Sequence, residues 1–568
     1  MKILLIHSDF IEFEAKKKAI KSAEEIEKGP VKVEECLTVF TAVEKSDEGN
    51  TEKVVEKYLE EVKKVAKTVN TQKIVIYPYA HLSNSLSSLD TALEVMKESE
   101  VKLKSEGFEV VRAPFGWYKS FNISCKGHPL SELSREIIVG DVDTKAVVKE
   151  EKYDPKKLLK KISNSRLDTS KLKDNDHRII GQKMNLFSFN EVAPGMVFWH
   201  DKGFYIYNSL ISFMRELMHE RNYEEIKTPQ VMDKKLWQIS GHWDKYKENN
   251  FSTSYENKTF LVKPMNCPGG MLIYKNTTRS YKDLPLKSGE FGIVHRNELS
   301  GVLGGLFRVI QFTQDDAHVF CTEKQLEDEI FKLIELIDLV YSKFGFKYSI
   351  ELSTRPETRI GDDSVWDKAE AALEAVLKKK NINYKVNEGD GAFYGPKIDY
   401  HIKDSLDRTW QCGTIQADFA LPERFELEYV DSDNTKKRPT MVHRAIYGSL
   451  ERFIGILLEH TNGKLPLWIS PNQVKILTVN DSNNSFAQEI YDKLHSLGVR
   501  VELDTRAMTT GKKVREAQIQ RFNYAVTVGD KETESKTLAV KVRDGDLTFG
   551  VSVDEFVSQV VEEIKNRA

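Results

Sequence analysis

Gly289-Glu290-Phe291-Gly292-Ile293-Val294-His295-Arg296-Asn297-Glu298 is the stretch on which the reading of this chain turns; a glycine-rich loop and then Phe307-Arg308 follow it. Residues 289–298 and 306–320 read as two strands joined by a turn, with an arginine on each side. A guanidinium fork binds phosphate oxygens in pairs, and strands hold it rigidly. Taken alone, an arginine at a hairpin reads first as a surface charge. A second segment, Gly448-Ser449-Leu450-Glu451-Arg452-Phe453-Ile454-Gly455, puts Arg452 on an apolar helix. An unpaired charge there is costly, and an anionic partner such as a nucleotide would relieve it. A third segment is a helix over 204–221 with Tyr207, Ile211, Met214 and Met218 on one face, running into an extended piece closed by Pro229. With further strand-rich segments and glycine turns between 185 and 470, these predict an antiparallel sheet with helices, an α+β core.

Both flanks alternate strand and helix instead. Residues 1–140 show a strand at 3–6 and a helix through Val55, Leu59, Val62, Ala66 and Val69. The buried-type strand Ile74-Val75-Ile76-Tyr77 ends at Pro78, a second helix stops near Gly107, and a strand covers 108–113. That is an α/β domain. Residues 471–568 give strands at 474–479, 499–503 and 524–528 and helices at 486–497 and 512–522, which predict a mostly parallel α/β sheet. Residues 141–184 are rich in Asp and Lys and read as a solvated linker with one short helix over 155–162; a small packed subdomain is the alternative. The expected division is 1–140, 141–184, 185–470 and 471–568. The 568 residues suit that number of units, at roughly 100–200 residues per domain.

Charged residues make up 30% and hydrophobic ones 40%, and the net charge is −3. Overall charge therefore announces no nucleic acid, and any RNA surface must be a local basic patch. Cys36, Cys125, Cys267, Cys321 and Cys412 are scattered without paired spacing, which argues for a reducing compartment and against a disulfide framework. The apolar run Met1 to Ile6 is broken by His7 and Asp9, too short for a signal-peptide core. No apolar stretch approaches the roughly 18 residues of a membrane span. The expectation is a cytoplasmic protein with no membrane contact.

Five further motifs complete the central segments: Met265-Asn266-Cys267-Pro268-Gly269, Phe312-Thr313-Gln314-Asp315-Asp316-Ala317-His318, Phe393-Tyr394-Gly395-Pro396-Lys397, Trp410-Gln411-Cys412-Gly413-Thr414 and His443-Arg444-Ala445. In this order, over about residues 177 to 568, the chain resembles the class II aminoacyl-tRNA synthetases and, within them, the threonyl-tRNA synthetase family. The resemblance implies attachment of L-threonine to tRNA(Thr) through a threonyl-adenylate, driven by ATP with Mg2+. It implies that Arg296 is catalytic and meets the α-phosphate, that Glu298 meets the adenine, that Arg308 and Arg452 hold the γ-phosphate end, and that Gln411 lies at the nucleotide. It implies one Zn2+ per chain on Cys267, His318 and His443, and a threonine pocket of Asp316, Gln314, Tyr394 and Gln416, with Asp316 accepting the hydroxyl proton. A homodimer through the segment around Pro229 also follows. From spacing alone the cysteine reads as a core thiol and the histidines as ordinary ones. The chemistry favours a metal: threonine and valine are near-isosteres that an apolar pocket separates poorly, and three protein ligands leave zinc an open position. Gly270 stands where the family usually has His.

A metal does not separate threonine from serine, which differ by one methyl, so a correction step is expected. Residues 1–139 resemble the archaeal editing module of this family, itself similar to D-aminoacyl-tRNA deacylases. The stretches that carry this are Leu4-Leu5-Ile6-His7-Ser8-Asp9, Tyr77-Pro78-Tyr79-Ala80-His81-Leu82-Ser83, Ala113-Pro114-Phe115-Gly116-Trp117-Tyr118-Lys119 and Cys125-Lys126-Gly127-His128-Pro129-Leu130-Ser131-Glu132. The resemblance makes Lys119 the main catalytic candidate for hydrolysing seryl-tRNA, supported by His81 and Glu132, with Tyr118 lining the pocket. Without it, Lys119 is one more solvated lysine and His81 a turn residue. Residues 471–568 resemble the anticodon-binding domain of class IIa synthetases, with Glu532 reading a base. Lys541 and Ala507 stand where the family usually has Arg and Asn, and lysine cannot reproduce a planar bidentate contact. The competing readings are an inert synthetase-like RNA-binding regulator, a class IIa synthetase for serine or proline, and a free-standing deacylase.

Overall fold

Strand Lys2–Lys18, not the four residues expected, is the spine of the N-terminal sheet. It pairs antiparallel with Val31–Ala42 on one side, and with Trp117–Cys125 and Glu132–Glu136 on the other; Lys73–Pro78 and Glu109–Arg112 continue the sheet in parallel. Side chains alternate faces along a strand, and each face has its own core. Ile3, Leu5, Leu37, Val39, Ile74 and Ile76 meet helices Thr51–Thr68 and Leu89–Ser105 through Val55, Tyr58, Leu59, Val62 and Val95. The opposite face gathers Ile11, Phe13, Phe40, Val75 and Tyr77 beneath an aromatic pocket. The computed structural model describes residues 1–20, 23–26, 29–83, 85–128, 130–137, 154–163, 172–245, 250–256, 258–404 and 408–567. Pro129 of the last N-terminal motif, and residues 141–153 and 164–171 of the expected linker, lie outside them.

The chain divides into two compact units, 1–149 and 150–568. The second is built on an eight-stranded sheet in the order Tyr384–Asn387, Tyr348–Ser353, Lys397–Lys403, Thr409–Asp418, Thr440–Ala445, Gln311–Cys321, Leu286–His295 and Glu224–Glu225. All neighbours are antiparallel except the outermost pair at each edge, as expected for the α+β core. Helices Asp201–Glu220, Leu326–Lys343, Asp363–Lys379 and Leu450–His460 cover one face with a continuous apolar core.

The expected linker differs from its reading in one important place. The short helix Pro155–Ser163 is present. The second helix of that region, His177–Lys183, is not solvated: Ile180, Met184 and Leu186 are buried in the main core. Two or three apolar residues among Asp and Lys give too weak a period to announce burial.

The C-terminal sheet runs Val501–Asp504, Val474–Thr478, Tyr524–Val528, Thr537–Val542 and Leu547–Ser552. Its first two pairings are parallel and the last two antiparallel, so it is mixed rather than mostly parallel. The extra hairpin escaped the sequence reading because Arg543-Asp544-Gly545-Asp546 breaks its apolar alternation. This domain is tied to the core by Lys202–Glu502 at 2.7 Å and by the Arg500–Asp201 and Arg567–Glu216 ion pairs.

Candidate functional site

The strand register builds one end of the central site. Gln314, Asp316 and His318 are spaced by two on strand Gln311–Cys321, so they share a face. His443 lies directly opposite His318 on the next strand, and Gln416 opposite His443 on the strand after that. Cys267 opens a short helix that brings its thiol to the same place. The candidate ligand atoms of Cys267, His318 and His443 all fall within 4.8 Å of one another, and all three residues are buried.

The donor chemistry suits a soft divalent ion. Burial holds the His318 imidazole down to about 4, so it is neutral, and its Nε2 has no hydrogen-bond partner. His443 Nε2–H donates to Asp418 at 2.8 Å, which leaves Nδ1 with its lone pair. Asp418 is fixed in turn by the N–H groups of Ala420 and Leu421. A carboxylate behind a histidine sets the tautomer a metal needs. Burial, with Asp316 and Asp418 nearby, pushes the Cys267 thiol well up, so a thiolate forms there only beside a cation. Asp316 accepts from Asn266 Nδ2 at 3.2 Å, and Tyr394 donates to Gln416 Oε1 at 2.6 Å. A Cβ at Gly270 would lie 3.6 Å from His318 Nδ1, so this position backs the histidine ring without crowding.

The other end of the same 480 Å³ cavity is cationic. Arg296, just past strand Leu286–His295, lies over the Phe312 ring and donates to a carbonyl, Pro264 O at 3.4 Å. Arg452 sits in the first turn of helix Leu450–His460 and donates to two carbonyls, Phe307 O and Gln411 O, each at 2.9 Å. Burial lowers its pKa. Among the described residues no carboxylate ion-pairs with Arg296 or Arg452. Arg308, across the hairpin, pairs with Glu298 at 2.8 Å. Half-buried guanidinium groups that meet carbonyls and no carboxylate are stabilised by an incoming anion. Gln411 lines the cavity, with its side chain turned to Asp399.

The structure also brings in residues that the sequence reading left without a role. Lys397 lines the cavity between Asp399 at 2.8 Å and Asp390 at 3.2 Å. Burial opposes its charge, and the two carboxylates outweigh burial, so its pKa is raised. It was visible as the last residue of Phe393-Tyr394-Gly395-Pro396-Lys397. Asp418 carried no such signal; only pairing with His443 reveals it.

In the N-terminal unit His81, Tyr118 and Lys119 line a separate 320 Å³ pocket with Tyr77, Tyr79 and Phe121. Lys119 Nζ donates to Pro114 O and Trp117 O at 2.9 and 3.2 Å and lies over the Tyr77 ring. Burial lowers its pKa to about 8. Glu132 is not brought there within one chain. It pairs with Ile6 and meets Cys125 Sγ, while Lys119 pairs with Ala15, nine positions further along the same spine strand. In the C-terminal domain Glu532 accepts the Gly529 N–H at 3.0 Å, capping the short helix Asp530–Ser535, and Lys541 Nζ turns to Gly545 O.

Residues 1–137 match the Archaea-specific editing domain of threonyl-tRNA synthetase, residues 251–461 the class II tRNA synthetase core domain (G, H, P, S and T), and residues 473–563 an anticodon binding domain. The threonine–tRNA ligase of Desulfatibacillum aliphaticivorans is 52% identical over 395 residues, which are 70% of this chain and 62% of that one. That of Finegoldia magna is 50% identical over 409 residues, 72% of this chain and 64% of that one. The chain thus spans less than two thirds of the length of these curated relatives. Among solved structures, the RNA binding domain of threonyl-tRNA synthetase from Cryptosporidium parvum is 41% identical with a TM-score of 0.67, covering 68% of this chain and 98% of that one. A putative threonyl-tRNA synthetase from Aeropyrum pernix is 28% identical with a TM-score of 0.61, covering 69% of this chain and 97% of that one. The motifs, the antiparallel core that aligns them and these matches agree, and the chain belongs to the threonyl-tRNA synthetase family.

Proposed function

We propose that this chain attaches L-threonine to tRNA(Thr) through a threonyl-adenylate and that its N-terminal domain hydrolyses mischarged seryl-tRNA(Thr). The observation that carries the reading is one cavity with carbonyl-partnered arginines at one end and a buried Cys-His-His cluster at the other. ATP lies along the arginines: Arg296 meets the α-phosphate, Glu298 the adenine, and Arg308 and Arg452 the γ-phosphate end, with Gln411 beside the nucleotide. Mg2+ accompanies the phosphates and offsets their charge. One zinc ion, held by Cys267, His318 and His443, would supply a Lewis-acidic centre that selects a substrate carrying an amine and a hydroxyl on adjacent carbons. Asp316 accepts the hydroxyl proton of threonine, and Gln314, Tyr394 and Gln416 fix the rest of it. The threonine carboxylate then attacks the α-phosphorus, and catalysis is chiefly positioning and charge stabilisation by Arg296.

In the N-terminal pocket Lys119 places and activates the hydrolytic water, with Tyr118 and His81 beside it. Glu132 supports the site less directly than the family resemblance implies, given its distance along the spine strand. Glu532 and Lys541 contact the anticodon. The working unit is a cytoplasmic homodimer joined around Pro229, with domains at 1–140, 185–470 and 471–568. The decisive experiment supplies threonine and serine separately and follows both charging and hydrolysis. A chain that supports threonine-dependent ATP–pyrophosphate exchange, charges tRNA and clears the seryl product bears out the reading; no exchange with threonine refutes it.

A further inference from the structure

His177 is a buried side chain outside the cavity just described that hydrogen-bonds through both ring nitrogens. It opens helix His177–Lys183, in the stretch that sequence alone read as a solvated linker. Its ring is 1% exposed. Its backbone N–H and its Nδ1 both meet Glu459 Oε1, at 3.2 and 2.8 Å. Its Nε2 meets the Leu306 N–H at 3.0 Å. Only one tautomer satisfies both sides: Nδ1–H donates to the carboxylate, and Nε2 accepts from the backbone. The other oxygen of Glu459 accepts from Arg408 at 2.9 Å, and Arg408 lies over the Phe307 and Trp410 rings.

The two elements so joined each carry an arginine of the cavity. Glu459 lies in the last turn of helix Leu450–His460, whose first turn holds Arg452. Leu306 and Phe307 lead into Arg308, and the Phe307 carbonyl is itself an acceptor for Arg452. The His177 ring centre lies 4.3 Å from that of Phe307. The glycine-rich loop is shaped around this histidine. Gly305 has φ +54°, and a Cβ there would come 2.2 Å from His177 Nε2. No side chain other than hydrogen fits that approach.

We propose that His177 is a positioning residue for the nucleotide site, a neutral imidazole that fixes the Leu306–Arg308 turn against the helix carrying Arg452. The proposal rests on the reading of the cavity as an ATP site. Its consequence is selective: the imidazole sets the spacing of the phosphate-binding arginines and touches nothing at the Cys267 end.

The test uses the full chain with three variants. His177→Asn keeps an N–H near the Nδ1 position and removes the acceptor for Leu306. His177→Gln places a carbonyl oxygen near the Nε2 position and restores that acceptor. Gly305→Ala displaces the turn from the other side. ATP–pyrophosphate exchange is measured against ATP at saturating threonine and against threonine at saturating ATP. Leaving the buried Leu306 N–H unpaired should raise the KM for ATP on the order of 10-fold. His177→Asn and Gly305→Ala are expected to show that rise with threonine KM and bound zinc unchanged, and His177→Gln to recover most of it. Unchanged ATP KM in both defective variants overturns the proposal. So does an equal rise for both substrates that follows a drop in Tm, with Gln no better than Asn, because the histidine then serves only the fold. Absence of exchange in the unaltered chain defeats the ATP-site reading itself, and is told apart by that control.

Discussion

A histidine that binds a metal must present a bare nitrogen, and the hydrogen bond at its other nitrogen decides which one it presents. His443 has that choice made by Asp418. Cys267→Ser should take zinc from one per chain to none by elemental analysis and abolish threonine activation while ATP still binds. Retention of zinc would remove Cys267 from the ligand set. Asp316→Ala should weaken threonine far more than ATP, by about 2–3 kcal/mol for a lost charge-assisted hydrogen bond. An undiminished preference for threonine over valine would deny Asp316 its role. None of this was legible from spacing. Cys267, His318 and His443 stand far apart in the sequence, and only strand register sets the two histidines face to face. His177 was still less legible, since its partners lie 129 and 282 residues away and its neighbours are charged. Lys119 gives a prediction in pH. A neutral amine activates water, and burial puts the titration near 8, so seryl-tRNA hydrolysis, corrected for spontaneous ester loss, should rise as pH passes through about 8 and then level off. Between about 8 and the ordinary 10.5 the folded domain binds fewer protons than the unfolded chain. Its stability should therefore increase with pH across that window. A flat rate profile would argue against a titrating lysine.

Elements with a strong period were read correctly from sequence, because burial of one face enforces the pattern. Val55, Leu59, Val62 and Ala66 do face the N-terminal core on helix Thr51–Thr68. Boundaries and weakly patterned elements were not. The spine strand runs on through Lys16-Lys17-Lys18, whose exposed charges mask its extended backbone, and the last hairpin of the C-terminal sheet exposes Leu547 and Phe549 instead of burying them. Helix Asp530–Ser535 holds the ambiguity with the clearest test. Its Glu532 carboxylate caps Gly529, and a cap is worth roughly 0.5–2 kcal/mol. A carboxylate also discriminates bases by accepting from their amino and imino groups. Glu532→Ala should lower Tm modestly, raise KM for tRNA and relax preference at one anticodon position, leaving threonine activation untouched. Lys541→Ala should weaken binding evenly across anticodon variants and make the salt dependence shallower, as expected on losing a point charge near phosphate. Equal discrimination among anticodon-mutated transcripts by the unaltered chain and Glu532→Ala would leave Glu532 a helix cap and nothing more.

At the scale of the whole molecule, the two proposed chemistries fall in units whose cores close separately. Among the described residues the N-terminal apolar clusters draw on none beyond Ile137, whereas the central cluster begins at Ile180 and the C-terminal one at Leu467. A synthetic site must accept threonine. Rejecting serine would require it to sense a missing methyl, and one methyl in a pocket gives about 1–3 kcal/mol of discrimination. That leaves roughly one wrong product in 10 to 200 at equal concentrations, so a second site that destroys the smaller product is needed. Removing residues 1–149 should therefore leave threonine charging at its full rate while seryl-tRNA accumulates in that proportion. Lys119→Met in the full chain should give the same accumulation, because it removes the amine and keeps most of the apolar stem. It thereby separates lost chemistry from lost domain. The comparison is made by charging with serine alone and following the product over time in all three proteins. If the full chain accumulates as much seryl-tRNA as the truncated one, the N-terminal pocket does not edit serine. If Lys119→Met clears it at the normal rate, the pocket edits without its lysine. If the truncated chain fails to charge threonine, the two cores are not independent, and the division at 149 marks a boundary in space but not in function.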